Sequence, residues 1–242
     1  MVSYHHIQPK TSPLNIYLRP PQTNTMSSDS DSPIAKISTS LPESPIIPKE
    51  EKIHRHFITH KPFGFITQFV NTNKRKKGVL GELYDFPEGT MAIGRLDVDS
   101  EGLLLLTTDG MVSFTICSRK IEKEYYVQLD GIIDEEAIQK MQAGVEIGID
   151  GIKYLTKPCI ARRLEEPPCF PPRIKAIRGE HHGPTSWASI TIREGKYKQV
   201  RKMTAAVGFP TLRLMRVRIG NIHLGALKAG EVIEVAKFDV DL

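Results

Sequence analysis

The apolar residues of this chain fall into runs of three different rhythms. Residues 103–106 are four consecutive leucines, bounded by Gly102 and by Thr107-Thr108-Asp109-Gly110. A short unbroken apolar run between turn signals predicts a strand buried on both faces. Residues 56–60 (HFITH) alternate, which predicts a strand running into the turn Lys61-Pro62-Phe63-Gly64. Residues 123–130, 156–164 and 186–193 also read as strands. Helical spacing occurs twice. Asp134-Glu135-Glu136 opens a helix with acids in its first turn, Ile138, Met141 and Val145 give it an apolar face, and Gly144 lies near its end. Residues 198–207 read as a second helix, ended by Gly208 and Pro210. In 212–219 (LRLMRVRI) the apolar face changes side: Leu212 and Leu214 share a face with Arg216 and Arg218, while Arg213 shares one with Met215, Val217 and Ile219. A bulge or twist within that strand resolves the conflict. Strands outnumber helices without alternating regularly with them, so the expected class is α+β with a mixed, mostly antiparallel sheet.

Residues 1–48 carry no such rhythm. Ser, Thr and Pro fill 21 of these 48 positions, and 8 of the 17 prolines lie here. A segment this polar cannot bury enough surface to offset its ordering entropy and is expected to be disordered. The division is placed at a leader over 1–51 and a folded domain over 52–242. Residues 1–28 contain no Asp or Glu, as in a transit peptide, yet Lys10 and Arg19 are their only Lys or Arg residues. Met26 offers an alternative translation start. The expected compartment is the cytoplasm, or an organelle if the leader is a transit peptide. Three irregularly spaced cysteines, Cys117, Cys159 and Cys169, fit a reducing environment.

The 242 residues carry a net charge of +5, unevenly spread. Between Arg193 and Arg218 there are eight Lys or Arg residues, opposed only by Glu194. That is the footprint of a polyanion partner such as a nucleic acid, or else a solvated basic face. The chemistry is most concentrated in 94–110, GRLDVDSEGLLLLTTDG, where Arg95 and Asp97 stand at the edge of the buried strand. Charges there cost free energy unless they are paired or used. Asp97, Asp99 and Glu101 imitate the start of a calcium loop. Its twelfth position is Thr108, however, and leucines replace its polar middle, which excludes that reading. His54, His56, His60, His181 and His182 match no standard metal spacing with Cys159 and Cys169, and there is no phosphate-binding glycine loop. Tyr125 and Tyr126 are adjacent in a strand and face opposite sides, one for the core and one available to stack on a base.

Taken together, these segments resemble the RsuA-type RNA pseudouridine synthases. The resemblance covers about residues 56–236. It rests on Lys61-Pro62-Phe63-Gly64 (KPxG), on 94–110 (GRLDxxSxGLLLLTxDG), on Lys123-Glu124-Tyr125 (KxY), on 194–203 (EGxxxQVRxM) and on 208–220 (GFPTLRLMRVRIG). Within the family it is similar to the RluE subgroup, which modifies a uridine of large-subunit ribosomal RNA, through 184–187 (PTSW) and 203–214 (MTAAVGFPTLRL). The N-terminal S4 RNA-binding domain of many relatives has no counterpart here, as in that subgroup. The resemblance implies a mixed, mostly antiparallel sheet in two subdomains flanked by helices, with the active site in a central cleft. It implies a flipped-out uridine, Asp97 as catalytic carboxylate, Tyr125 stacked on the base, and Arg201 paired with Asp97 to keep it ionised. Leu214 is the expected apolar wall under the base, and Lys61, Arg95, Lys198, Lys202 and Arg213 are the expected phosphate contacts. The intermediate is either a covalent sugar adduct or a glycal. No cofactor and no metal are expected; the partner is ribosomal RNA or an assembling large subunit, and the chain is expected to be a monomer. A non-catalytic RNA-binding or ribosome-assembly factor on the same fold, or a synthase acting on another RNA, stays open at this point.

Overall fold

A computed structural model describes residues 53–70, 77–118, 120–173, 175–177 and 182–240. The leader expectation and His181 lie outside them. In chain order the elements are β1 (His56–Lys61), β2 (Phe65–Ile66), β3 (Gly78–Val79), β4 (Met91–Ile93), β5 (Glu101–Thr107), α1 (Gly110–Ser118), β6 (Lys123–Asp130) and α2 (Glu135–Ala143). There follow β7 (Glu146–Ile149), β8 (Ile152–Leu155), β9 (Ile160–Leu164), β10 (Thr185–Ile192), α3 (Gln199–Ala206), β11 (Thr211–Ile219), β12 (Ile222–His223) and β13 (Val232–Val235).

A nine-stranded sheet organises the chain in the order β13-β1-β5-β11-β6-β10-β9, with β4 also on β5 and β12 also on β11. Its strand pairs are antiparallel except β5 with β11. The leucine run behaves as its pattern requires. All seven residues of β5 are buried. Leu103 and Leu105 pack with Ile93, Ile116 and Met215, and Leu104 and Leu106 pack with Phe57, Leu80 and Leu96. Alternate side chains of one strand thus feed two separate cores. A third core lies under α2 and α3, where Ile138, Met141, Val200 and Met203 cover Val127, Leu129 and Ile190. Asp134 caps α2 by accepting from the Ala137 N–H at 2.8 Å.

The strand with the changing face is bulged. β11 pairs with β6 through register shifts between Thr211 and Arg213 and between Arg216 and Arg218. Two elements differ from expectation. The single strand over 156–164 is split: β8 ends at Leu155, and β9 begins at Ile160. Pro158 lies in the gap, and Thr156 leaves the hairpin to bind Val145, its amide donating to the Val145 carbonyl at 3.0 Å and its Oγ1 accepting the Val145 N–H at 2.9 Å. Helix α1 was not foreseen, because its nine residues carry no charge to mark a face or an end. Its start is fixed by Asp109, whose Oδ1 accepts from the Met111 and Val112 amides.

The β5–β11 junction positions the site. It consists of the register pairs Met215 with Glu101 and Arg216 with Gly102. Gly102 has φ +108°, and a Cβ there would overlap the Arg216 carbonyl oxygen. Glycine is required for the two halves of the sheet to meet this closely.

Candidate active site

The loop between β4 and β5 carries Asp97, and its neighbours hold it from several sides. Gly94 turns the chain with φ +73°. Leu96 is buried in the core beside Phe57 and Leu104. The Gly64 N–H, in the Lys61-Pro62-Phe63-Gly64 turn, donates to the Val98 carbonyl at 2.8 Å, and the Ser100 N–H returns to the Asp97 carbonyl at 3.0 Å. Asp97 is therefore a half-buried carboxylate on a backbone pinned at both ends. Burial, and then the neighbouring Asp99, push its pKa up, while Lys198, Arg201 and Lys61 oppose the rise.

Asp97 lines a cleft of about 500 Å³ together with Arg95, Tyr125, Lys198, Leu214 and Arg216. Tyr125 comes from β6, Leu214 from β11, and Lys198 from the start of α3. Five of the expected site residues are thus brought together: Asp97, Tyr125, Arg95, Lys198 and Leu214. The cleft pairs apolar walls with a few convergent polar groups, the usual make-up of a small-ligand site. Tyr126 points to the other side of β6 and stands 6.1 Å from Phe170, ring to ring.

Arg201, Lys61 and Arg213 stand otherwise than expected. The ion pair of Arg201 is made with Asp99, not Asp97: Nη2 donates to the Asp99 carbonyl at 2.8 Å, and Nε lies 3.5 Å from Oδ2. Lys61 has no exposed surface, and its Nζ donates to the carbonyls of Pro62 at 2.9 Å and Phe65 at 2.7 Å. It secures the turn beneath the Asp97 loop and presents no charge to a phosphate. Arg213 is likewise buried, forming a two-pronged pair with Glu101 at 2.9 and 2.8 Å. Residue type and spacing do not reveal that a lysine or arginine in a basic run is turned inward. Lys202 donates to the Gly148 carbonyl at 2.6 Å and is not part of the cleft lining.

Sequence reasoning missed two residues of the site. Arg216 is buried, donates through Nε to the Leu103 carbonyl at 2.7 Å, and leaves Nη2 buried without a hydrogen-bond partner. Its signal was the face change within 212–219. Tyr197 lines the cleft and is 61 % exposed. Among the described residues no group of three or more His, Cys, Asp or Glu could hold a metal ion.

Known proteins share this sequence pattern and fold. A family model described as RNA pseudouridylate synthase matches residues 55–206. Ribosomal large subunit pseudouridine synthase E of Xanthomonas campestris pv. campestris is 41% identical over 72% of this chain and 91% of its own length. The protein of the same name from Vibrio parahaemolyticus is 39% identical over 74% of this chain and 72% of its own. Ribosomal large subunit pseudouridine synthase B of Bacillus subtilis is 30% identical over 80% of this chain and 72% of its own. A crystal structure titled as a pseudouridylate synthase superposes with a TM-score of 0.61 at 29% identity, over 75% of this chain and 70% of that one. The fold and the relatives agree with the motifs that run from the Lys61 turn through the Asp97 loop to α3, and the matched segment contains all three: the chain belongs to the RNA pseudouridylate synthase family.

Proposed function

We propose that this protein isomerises a uridine of large-subunit ribosomal RNA to pseudouridine, with Asp97 as the catalytic carboxylate. The observation that carries the reading is the cleft itself. It sets one half-buried carboxylate against a tyrosine and a leucine, with Arg95 and Lys198 beside it. The relatives named for the large ribosomal subunit support the substrate class.

A uridine within a folded RNA has to leave its stack to reach such a cleft. The base then lies between Tyr125 and Leu214, and the ribose faces Asp97. The N1–C1′ bond breaks and the base turns. A C5–C1′ bond forms, the C5 proton departs, and N1 takes up a proton. Atoms and electrons balance without a co-reactant. Asp97 acts at the sugar, and its ionised form is the reactive one. Tyr125 supports the base and assists loss of the C5 proton. Arg201 works through Asp99, fixing the loop that carries Asp97, and is a positioning residue. Lys198 and Arg95 contact phosphates.

The test is chemical mapping of pseudouridine in ribosomal RNA from cells lacking the protein, then after return of the wild type or of Asp97→Asn. The expected result is one missing large-subunit site, restored by the wild type alone. Restoration by Asp97→Asn would remove Asp97 from the mechanism. A complete map in the deletion strain would turn the reading toward an RNA-binding factor or another RNA.

A further inference from the structure

A second cavity, of about 390 Å³, adjoins the first. Thr67, Gln68 and Lys77 line it on its own side, and it shares Arg95, Leu96, Asp97, Tyr197 and Lys198 with the first cleft. The shared residues are the partition between two spaces. One space is mainly apolar and holds Tyr125 and Leu214. The other is mainly polar and opens beside the Lys61 turn. The isomerisation described above places the base in the first alone.

Tyr197 is the distinctive part of that partition. A single exposed apolar or aromatic side chain on a protein surface needs no explanation. This one is 61 % exposed on the wall of two cavities. Two ammonium groups attend its ring, Lys202 Nζ at 5.1 Å and Lys198 Nζ at 5.6 Å from the centroid. Lys198, which joins Tyr197 to α3, has φ +50°, a left-handed backbone disfavoured for a side chain of this kind. Such strain persists where the surroundings enforce it and is often found at ligand sites. An exposed aromatic ring attended by cations is a unit with which proteins hold single-stranded nucleic acid: the base stacks on the ring, and the phosphates meet the charges.

We infer that the second cavity binds a nucleotide flanking the target uridine on the same RNA strand, with its base stacked on Tyr197 and its phosphate on Lys198. The inference rests on the RNA-modifying reading and extends it by a second subsite. The strand then bends over Asp97, with one nucleotide on each side of the partition. A base stacked on Tyr197 holds the strand open next to the extruded uridine, which places this residue in substrate positioning and not in bond-making.

The experiment is fluorescence anisotropy of the full chain with two labelled probes. One is a twelve-nucleotide uridine RNA, and the other is a ribose-phosphate oligomer of the same length without bases. Tyr197→Ala is expected to weaken binding of the uridine RNA about tenfold and to leave the base-free oligomer within about twofold of wild type. Tyr197→Phe, which keeps the ring, stays near wild type on both. Thr67→Trp fills the second cavity without entering the first and is expected to reproduce the loss on the uridine RNA. Equal loss on both probes with Tyr197→Ala would reduce the ring to a support for its lysines and overturn the inference. No loss on either probe, or wild-type binding by Thr67→Trp, would also overturn it. Loss of pseudouridine formation by Asp97→Asn is scored separately, so the flanking subsite can fail while the catalytic reading stands.

Discussion

The Arg201 guanidinium is held on Asp99, two residues past Asp97, with Nη2 donating to the Asp99 carbonyl at 2.8 Å and Nε 3.5 Å from its carboxylate. Asp97 therefore receives Arg201 as a charge at a distance, beside the opposing charge of Asp99. The two act on Asp97 with opposite signs: Asp99 raises its pKa and Arg201 lowers it. Removing each should move the acid limb of kcat/KM, which reports ionisation in the free enzyme, in opposite directions. Asp99→Asn is expected to shift it to lower pH and Arg201→Met to higher pH. Profiles measured on one RNA substrate decide this, and shifts of the same sign would refute the arrangement.

The same environment makes Asp97 a stability liability. Its folded-state pKa lies above the ordinary carboxylate value because burial and Asp99 disfavour the charge. The folded chain thus binds this proton more tightly than the unfolded chain does. Stability from this group is full below the unfolded pKa and falls as pH rises through the folded pKa. The charged carboxylate is thus the form that costs stability. Asp97→Asn is therefore expected to abolish conversion and to raise Tm at pH 7 by about 2 °C. The gain should shrink as pH falls toward the carboxylate range. A lower Tm at pH 7 would mean that Asp97 carries structure as well as chemistry.

The basic run from Arg193 to Arg218 divides by burial into two functions, and mutations should separate them. Arg213 and Glu101 form a buried pair, with side-chain exposures of 7% and 5%. Arg213→Ala leaves Glu101 charged and unpaired, and about 3–5 kcal/mol of stability should be lost. Chemical denaturation measures this. Lys198 lines both cavities, and Lys198→Ala should leave stability within about 0.5 kcal/mol while reducing the slope of log K against log salt by about 1. An unchanged slope would place the phosphates elsewhere.

Much of this organisation was legible in the sequence. Leu103–Leu106 could be read as a doubly buried strand because an unbroken run has no polar face to expose, and two cores do fill its two sides. The bulge in β11 followed from a face change that a regular strand cannot accommodate. Asp97, Tyr125, Arg95, Lys198 and Leu214 were placed by motif, and they line one cleft. Direction was not legible. Lys61 and Arg213 are basic residues like Lys198, yet they point inward, to the Pro62 and Phe65 carbonyls and to Glu101. The partner of Arg213 lies 112 positions away, and no local pattern encodes that pairing; Lys61 turns back onto carbonyls one and four residues on, which its residue type alone does not announce. Helix α1 escaped notice because it lacks a charged residue altogether, and its start is set by the Asp109 side chain.

Lys61 provides a test confined to stability. Burial pushes its ammonium down to about 7, from an ordinary value of 10.5. Between those values the unfolded chain holds a proton that the folded chain releases. The contribution of Lys61 is thus present above the unfolded pKa and is lost as pH falls through the folded pKa near 7, so stability should rise with pH across that window. Lys123, also depressed by burial, adds a slope of the same sign. Above about pH 8.5 the half-buried Cys159 thiol, pushed up to about 11, acts in the opposite direction. Thermal melts between pH 7 and 8.5 therefore isolate the lysines. Lys61→Met should flatten the rise of Tm with pH in that range and leave the part due to Lys123. It should also lower Tm at pH 8.5, where the neutral amine still donates to Pro62 and Phe65 and methionine leaves both carbonyls unpaired. A variant curve parallel to wild type would show that Lys61 ionises as freely in the folded chain as in the unfolded one, and its burial would then not govern its charge.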